Sequence, residues 1–176
     1  AVTALGPRPP GTPEHEKAEQ YILTQLQRLG LQPEVDAFTA STPIGPRPMK
    51  NIVVKFAGRS GQSVLVAGHY DTKREPGFRF VGANDGGSST GLLLELARVL
   101  KNSPTAALGV WLAFLDGEEP HVFPPNSDGL SAPEVMGEYA DCLTNFNAGI
   151  RNLGFAYVAK HLPEILYIIT LDDDEV

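Results

Sequence analysis

The sequence contains one cysteine, Cys142. A lone cysteine excludes an internal disulfide and a cysteine-rich structural zinc site, and it leaves the redox compartment open. No apolar run approaches the roughly 20 residues that a membrane-spanning helix requires. Lysine and arginine form no basic run, and 21 acidic residues against 14 basic ones give a net charge of −7. That balance speaks against both nucleic acid and an anionic membrane as partners. No Gly-x-x-x-x-Gly-Lys-Ser/Thr loop is present, so nucleotide hydrolysis has no support. Cys142 lies in a polar, irregular stretch without an evident partner, which disfavours nucleophilic catalysis. Internal repeats and low-complexity segments are also missing.

The 176 residues, 42% of them hydrophobic, fit a single domain over 1–176 with one substantial core. Ala1 to Gly6 has neither an initiator methionine nor a complete signal peptide, as expected of a mature N-terminus or an arbitrary start. The Pro/Gly lead-in from Gly6 to Gly11 cannot be helical. Thr12 and Pro13 then read as an N-cap and first helical residue, with Glu14 and Glu16 complementing the helix dipole. Ala18, Ile22, Leu26 and Leu29 share one face, and Gly30 is a stop signal.

Residues 50–57 and 63–69 read as strands joined by the turn Gly58-Arg59-Ser60-Gly61, a connection that favours an antiparallel pair. Residues 91–101 read as an apolar helix preceded by a turn near Ser88. Residues 107–115 are almost wholly apolar, as expected of a central strand covered on both faces. Residues 149–161 read as a helix and 164–171 as another buried strand. Alternating strands and helices imply a three-layer α/β sandwich around a mixed, largely parallel sheet.

In such sheets ligands bind beyond the carboxyl ends of the strands. Polar clusters lie at these ends: Gly68-His69-Tyr70-Asp71, Asp116-Gly117-Glu118-Glu119 and Asp172-Asp173-Asp174. A glycine-rich loop, Gly82-Ala83-Asn84-Asp85-Gly86-Gly87-Ser88-Ser89, lies between the first two. His69 and Asp71, two residues apart, can point to one side, so that a carboxylate orients a metal-bound imidazole. Alone, such a pair is more often a surface turn. Asn84-Asp85-Gly86-Gly87 is composed of turn formers, although its glycines also permit close approach to a metal or substrate. Adjacent Glu118 and Glu119 repel each other. A metal resolves that conflict if one ligates while the other holds a proton, and a solvated acidic loop is the competing explanation.

Taken together, Gly-His-Tyr-Asp-Thr (68–72), Gly-Ala-Asn-Asp-Gly-Gly-Ser-Ser (82–89) and Asp-Gly-Glu-Glu (116–119) resemble the co-catalytic zinc aminopeptidases and the related glutaminyl cyclases. The string from Arg79 to Asp85, Lys73 and the Gly6–Gly11 leader lean towards the bacterial cyclase group. The resemblance implies His69, Asp85, Glu119 and Asp172 as metal ligands and Asp71 as the partner orienting His69. It implies Glu118 as general base and acid. Asp172 would bind a second zinc in the peptidases and help hold substrate in the cyclases.

One zinc ion is implied for a cyclase, converting an N-terminal glutamine to pyroglutamate with loss of ammonia. Two are implied for an aminopeptidase, with Glu118 deprotonating the attacking water. In the peptidase pattern His69 is a ligand, whereas in the cyclase it is only a neighbour. The family pattern continues to a second histidine ligand beyond Val176, and residues 120–150 depart from it, so a truncated or divergent C-terminal part and a non-catalytic scaffold are a third expectation. The implied substrate is a peptide with a free N-terminus, and the implied location is secreted or periplasmic. Oligomeric state is not legible.

Overall fold

The first helix begins where its sequence supplies a cap. The Thr12 hydroxyl accepts from the His15 amide at 3.3 Å, and α1 runs Pro13–Arg28. It ends in a Schellman arrangement: Leu31 N donates to Leu26 O (3.1 Å), Gly30 N donates to Gln27 O (2.8 Å), and Gly30 takes φ 73°. Its buried stripe is His15, Ala18, Glu19, Ile22 and Leu26. The computed structural model describes residues 1–40, 45–75, 77–119 and 160–171.

The remaining elements are β1 (Glu34–Ala40), β2 (Arg47–Phe56), β3 (Ser63–His69), α2 (Gly87–Lys101), β4 (Gly109–Leu115) and β5 (Ile165–Thr170). They form a mixed sheet of order β1-β2-β4-β3-β5. β1/β2 and β2/β4 are antiparallel, and β3/β4 and β3/β5 are parallel. The register puts Ile52 opposite Phe114, Val54 opposite Leu112, and Val66 beside Leu112. These side chains share one face and one core with Ala18, Ile22 and Leu26 of α1 and Leu93 and Ala97 of α2. Each of these side chains larger than alanine contributes about 1.5–3 kcal/mol of burial. The described residues supply two of the three expected layers, the sheet and one layer of helices.

Three expectations change. The turn after β2 does not close a hairpin with β3, because β4 lies between them. Arg59 N and Ser60 N donate to Ala106 O and Ala107 O (3.1 and 2.9 Å), and Gly109 N donates to Gln62 O (2.8 Å), so the turn straddles the entry to β4. The physical reason is that β4 is apolar on both faces and requires the central position. Helix α2 starts at Gly87, four residues before the expected Gly91. β5 is not buried: Leu166, Tyr167 and Ile169 are 44%, 63% and 48% exposed, as suits a strand paired among the described residues only with β3. β1 carried no sequence signal, since six of its seven residues are exposed. Of the helix expected over 149–161, only Lys160 and His161 are described, and both are helical. Among the described residues no helix is long and apolar enough to cross a membrane.

At Gly68 a Cβ would lie 2.6 Å from the Ser89 Cβ, so this glycine lets the first turn of α2 seat against β3. Gly68→Ala is expected to destabilise the fold by about 1–3 kcal/mol through overpacking. Denaturant unfolding checks this; a loss below about 0.5 kcal/mol, the range of an ordinary surface change, would show the contact to be loose.

Candidate metal centre

Strands β3 and β4 run side by side and end together, His69 opposite Leu115. Sequence neighbours of those ends therefore meet: His69 to Asp71 from β3 and Asp116 to Glu119 from β4. The third contributor is the loop from Gly82 to Gly86, which leads into the N-terminus of α2. Gly87 N donates to Gly82 O (3.1 Å) and Ser88 N to Asn84 O (3.1 Å), folding this loop back on itself. Gly86 takes φ 73°, and a Cβ there would lie 3.0 Å from His69 Cε1, so the backbone can approach the imidazole only without a side chain.

Ligand-capable atoms of His69, Asp85 and Glu119 lie within 4.8 Å of one another. His69 Nε2 is 3.1 Å from Asp85 Oδ1, and Nδ1 is 3.4 Å from Asp71 Oδ1 and 4.0 Å from Glu118 Oε2. None of these contacts to His69 is aligned as a hydrogen bond: both ring nitrogens, Asp71 Oδ1 and Glu119 Oε1 are buried without a partner among the described residues. Native interiors rarely leave such atoms orphaned. Glu119 N donates to Asp71 Oδ2 at 3.2 Å, so Asp71 touches the His69 ring with one oxygen and fixes the Glu119 backbone with the other. Asp71 is fully buried, whereas Asp85 and Glu118 keep part of their side chains exposed and form the mouth.

The acids are too crowded to be charged independently. Burial, then Asp85, Asp71 and Glu118, push the Glu119 carboxyl up to about 9. Burial alone would lower the His69 imidazole, but Asp71, Asp85 and Glu118 raise it to about 11. Burial also acts on Asp85, where His69, Glu119 and Lys73 outweigh it and hold the carboxyl low. Protons or a cation must relieve this crowding. A divalent ion suits it, since His69 Nε2 on giving up its proton, together with Glu119 Oε1, would offer uncommitted lone pairs beside a low-pKa carboxylate. Arg8, 0% exposed, lies behind the cluster. Its guanidinium donates to Tyr70 O (2.5 Å), Val81 O (2.6 Å) and Gly82 O (3.2 Å), and its amide donates to Thr72 Oγ1 (2.9 Å). Burial lowers its pKa, and Asp71, Asp85 and Glu119 oppose that fall.

The profile of Peptidase family M28 matches residues 51–133. A Bos taurus protein named glutaminyl-peptide cyclotransferase-like protein is 37% identical over 122 residues, covering 64% of this chain and 32% of that protein. The solved glutaminyl cyclase of an Acidobacteriales bacterium superposes with TM-score 0.72 at 32% identity, over 96% of this chain and 53% of that one. A Zn-dependent exopeptidase from Parabacteroides distasonis gives 0.60 at 25% identity, over 75% and 53%. The chain belongs to the zinc aminopeptidase and glutaminyl-cyclase superfamily. It spans about a third of the length of the bovine relative and about half of the two solved chains.

Of the residues that the superfamily resemblance singled out, the fold brings five together: His69, Asp71, Asp85, Glu118 and Glu119. Asp172 lies outside the described residues. The spacing Gly-x-Ser-x-Gly of a nucleophile elbow does occur, at Gly87-Ser88-Ser89-Thr90-Gly91. It lies inside α2, where the Ser89 hydroxyl donates to His69 O (2.9 Å) and Gly86 O (3.1 Å), so Ser89 is a buried helix tie and no nucleophile elbow. Arg8 and the buried trio His15, Glu19 and Asp116 were missed as site neighbours. For His15 a signal existed, because it falls on the apolar stripe of α1 four residues before Glu19. For Arg8 the signal was only its place in the Gly6–Gly11 leader, which bears on the resemblance and not on the site.

The trio contrasts with the first cluster, for its polar atoms are bonded. His15 Nε2 meets Asp116 Oδ1 at 2.8 Å, His15 Nδ1 lies 3.5 Å from Glu19 Oε1, and Lys50 Nζ bonds Glu19 Oε2. Burial would lower the His15 pKa, but Asp116, Glu19 and Asp71 together raise it above 6.5. A raised histidine pKa contributes stability that is fully present below the unfolded value and is lost as pH rises through the folded one. The stability advantage of wild type over His15→Gln is therefore expected to be largest below about pH 6.5 and to shrink at higher pH. Urea melts of both proteins from pH 6 to 9 check this, and a constant difference would show that the His15 pKa is the same in the folded and unfolded states.

Proposed function

We propose that this chain is the zinc-binding catalytic domain of a glutaminyl-peptide cyclotransferase. The observation that carries the reading is the cluster of His69, Asp85 and Glu119 with Glu118 at its mouth, in a chain whose relatives bear that name. Asp85 and Glu119, with His69 beside them, would hold the ion. Bound there, zinc would act as a Lewis acid on the side-chain amide carbonyl of an N-terminal glutamine.

The chain's own residues do the rest. Glu118 takes a proton from the α-amino nitrogen as its bond to the side-chain carbonyl carbon forms. The same carboxyl then returns that proton to the departing amide nitrogen, which leaves as ammonia. Asp71 holds the His69 ring and the Glu119 backbone, so the floor of the site does not rearrange as the proton moves. Asp172 would hold substrate near the metal. The substrate class is a peptide with a free N-terminus, and a secreted or periplasmic setting belongs to the same proposal on the strength of the family resemblance.

A second reading, an aminopeptidase with two metal ions, is favoured by one observation. Both ring nitrogens of His69 are buried without a partner among the described residues, as suits a ligand better than a bystander. Incubation with a Gln-initiated peptide and zinc separates the readings. The expected result is ammonia release at about one zinc per chain, reduced about 10²- to 10⁴-fold in Glu118→Gln. Hydrolysis of the first peptide bond at about two zinc ions per chain would replace the cyclase with the peptidase. Neither product, and no zinc bound, would leave a non-catalytic scaffold.

A further inference from the structure

We propose that Tyr70, Asp116 and His15 form a positioning device that sets where Glu118 and Glu119 stand relative to His69 and Asp71. The inference rests on the reading that these four residues form the metal and proton-transfer site.

The β-ladder that fixes β4 ends at Leu115. Beyond it, Asp116 to Glu119 turns through Gly117, which takes φ 76°. Two carboxylates anchor this turn. At its far end Asp71 Oδ2 accepts from Glu119 N. At its near end Asp116 is tied from four directions. Oδ1 meets His15 Nε2 of α1 at 2.8 Å, and Oδ2 accepts from the Tyr70 hydroxyl and from Lys50 N of β2, each at 2.8 Å. Its own amide donates to Asn51 Oδ1 at 3.1 Å.

Tyr70 makes this a coupling and not merely a tether. It stands between His69 and Asp71 in the chain, its amide donates to Leu115 O (3.1 Å), and its hydroxyl reaches Asp116. One residue thus spans both halves of the site. The Tyr70 hydroxyl is also 2.8 Å from Lys50 O, and His15 stacks on the Tyr70 ring with centroids 5.4 Å apart and 22° between planes. Tyr70 is 0%, His15 1% and Asp116 7% exposed, so solvent is poorly placed to replace a lost bond.

The test uses Tyr70→Phe, which keeps the ring and removes the hydroxyl. Zinc affinity by competition with a chromophoric chelator, kcat and KM on a Gln-initiated peptide, and Tm are measured on the full chain. Zinc affinity and kcat are expected to fall about tenfold or more, in the range of lost outer-sphere partners, with KM within about twofold. His15→Leu should behave alike. His15→Gln, whose amide nitrogen can stand in for Nε2, should restore zinc affinity to within about threefold of wild type.

Leu26→Ala supplies the control, since Leu26 lies in the core on α1 and outside the network. Wild-type zinc affinity and kcat in Tyr70→Phe, whatever its Tm, would overturn the inference alone. So would equal zinc weakening in Leu26→Ala at a matched loss of Tm, because general loosening would then explain it. A wild-type chain that binds no zinc would overturn the underlying reading of the site and this inference with it.

Discussion

The structure is organised around a concentration of like charge that water is largely kept from dissipating. Asp71, Asp85, Glu118 and Glu119 converge on a single imidazole at the ends of two neighbouring parallel strands. Carboxylates so close cannot all be ionised without compensation, and the folded chain meets that cost in three ways. Arg8 brings a fixed positive charge to the rear of the cluster. Protons are retained on His69 and Glu119 well above their ordinary range. The remaining lone pairs are left facing one another, an arrangement that suits a cation and little else.

The scaffold serves that convergence through backbone more than through side chains. Arg8 spends its guanidinium on three carbonyls and, among the described residues, makes no direct ion pair, so it braces the β3 exit and the glycine-rich loop while acting on the acids only at a distance. Gly68 and Gly86 bring α2 and its leading loop within contact of the β3 end. Asp71 and Asp116 grip the two ends of the turn that carries the paired glutamates. Each device fixes main chain, and the catalytic candidates inherit their positions from it.

Much of this was legible in the sequence. The α1 cap, stripe and stop were readable because all three are local: Thr12, the 18-22-26 spacing and Gly30 lie within one helix. The site residues were readable because polar clusters follow apolar strands, and the carboxyl end of a strand is where an α/β sheet opens. What escaped was non-local or unpatterned. β1 presents exposed residues without an apolar face. The hairpin expected of β2 and β3 failed because a turn's composition says nothing about a strand arriving later to part them. Arg8 lies in the non-helical Pro/Gly lead-in, and its role could not be read there because its partners lie more than 60 residues away.

The insertion of β4 between β2 and β3 has a consequence for how the protein reaches this structure. Two strands that leave the ribosome in succession cannot satisfy each other and must wait for a third, made after the whole of α2. Until it docks, each presents an open edge of amides and carbonyls, and the carboxylates of the site are still far apart. The two halves of the sheet are therefore joined, and the site assembled, by one late, long-range event. Chains of this kind fold slowly and are most prone to self-association before the central strand is in place.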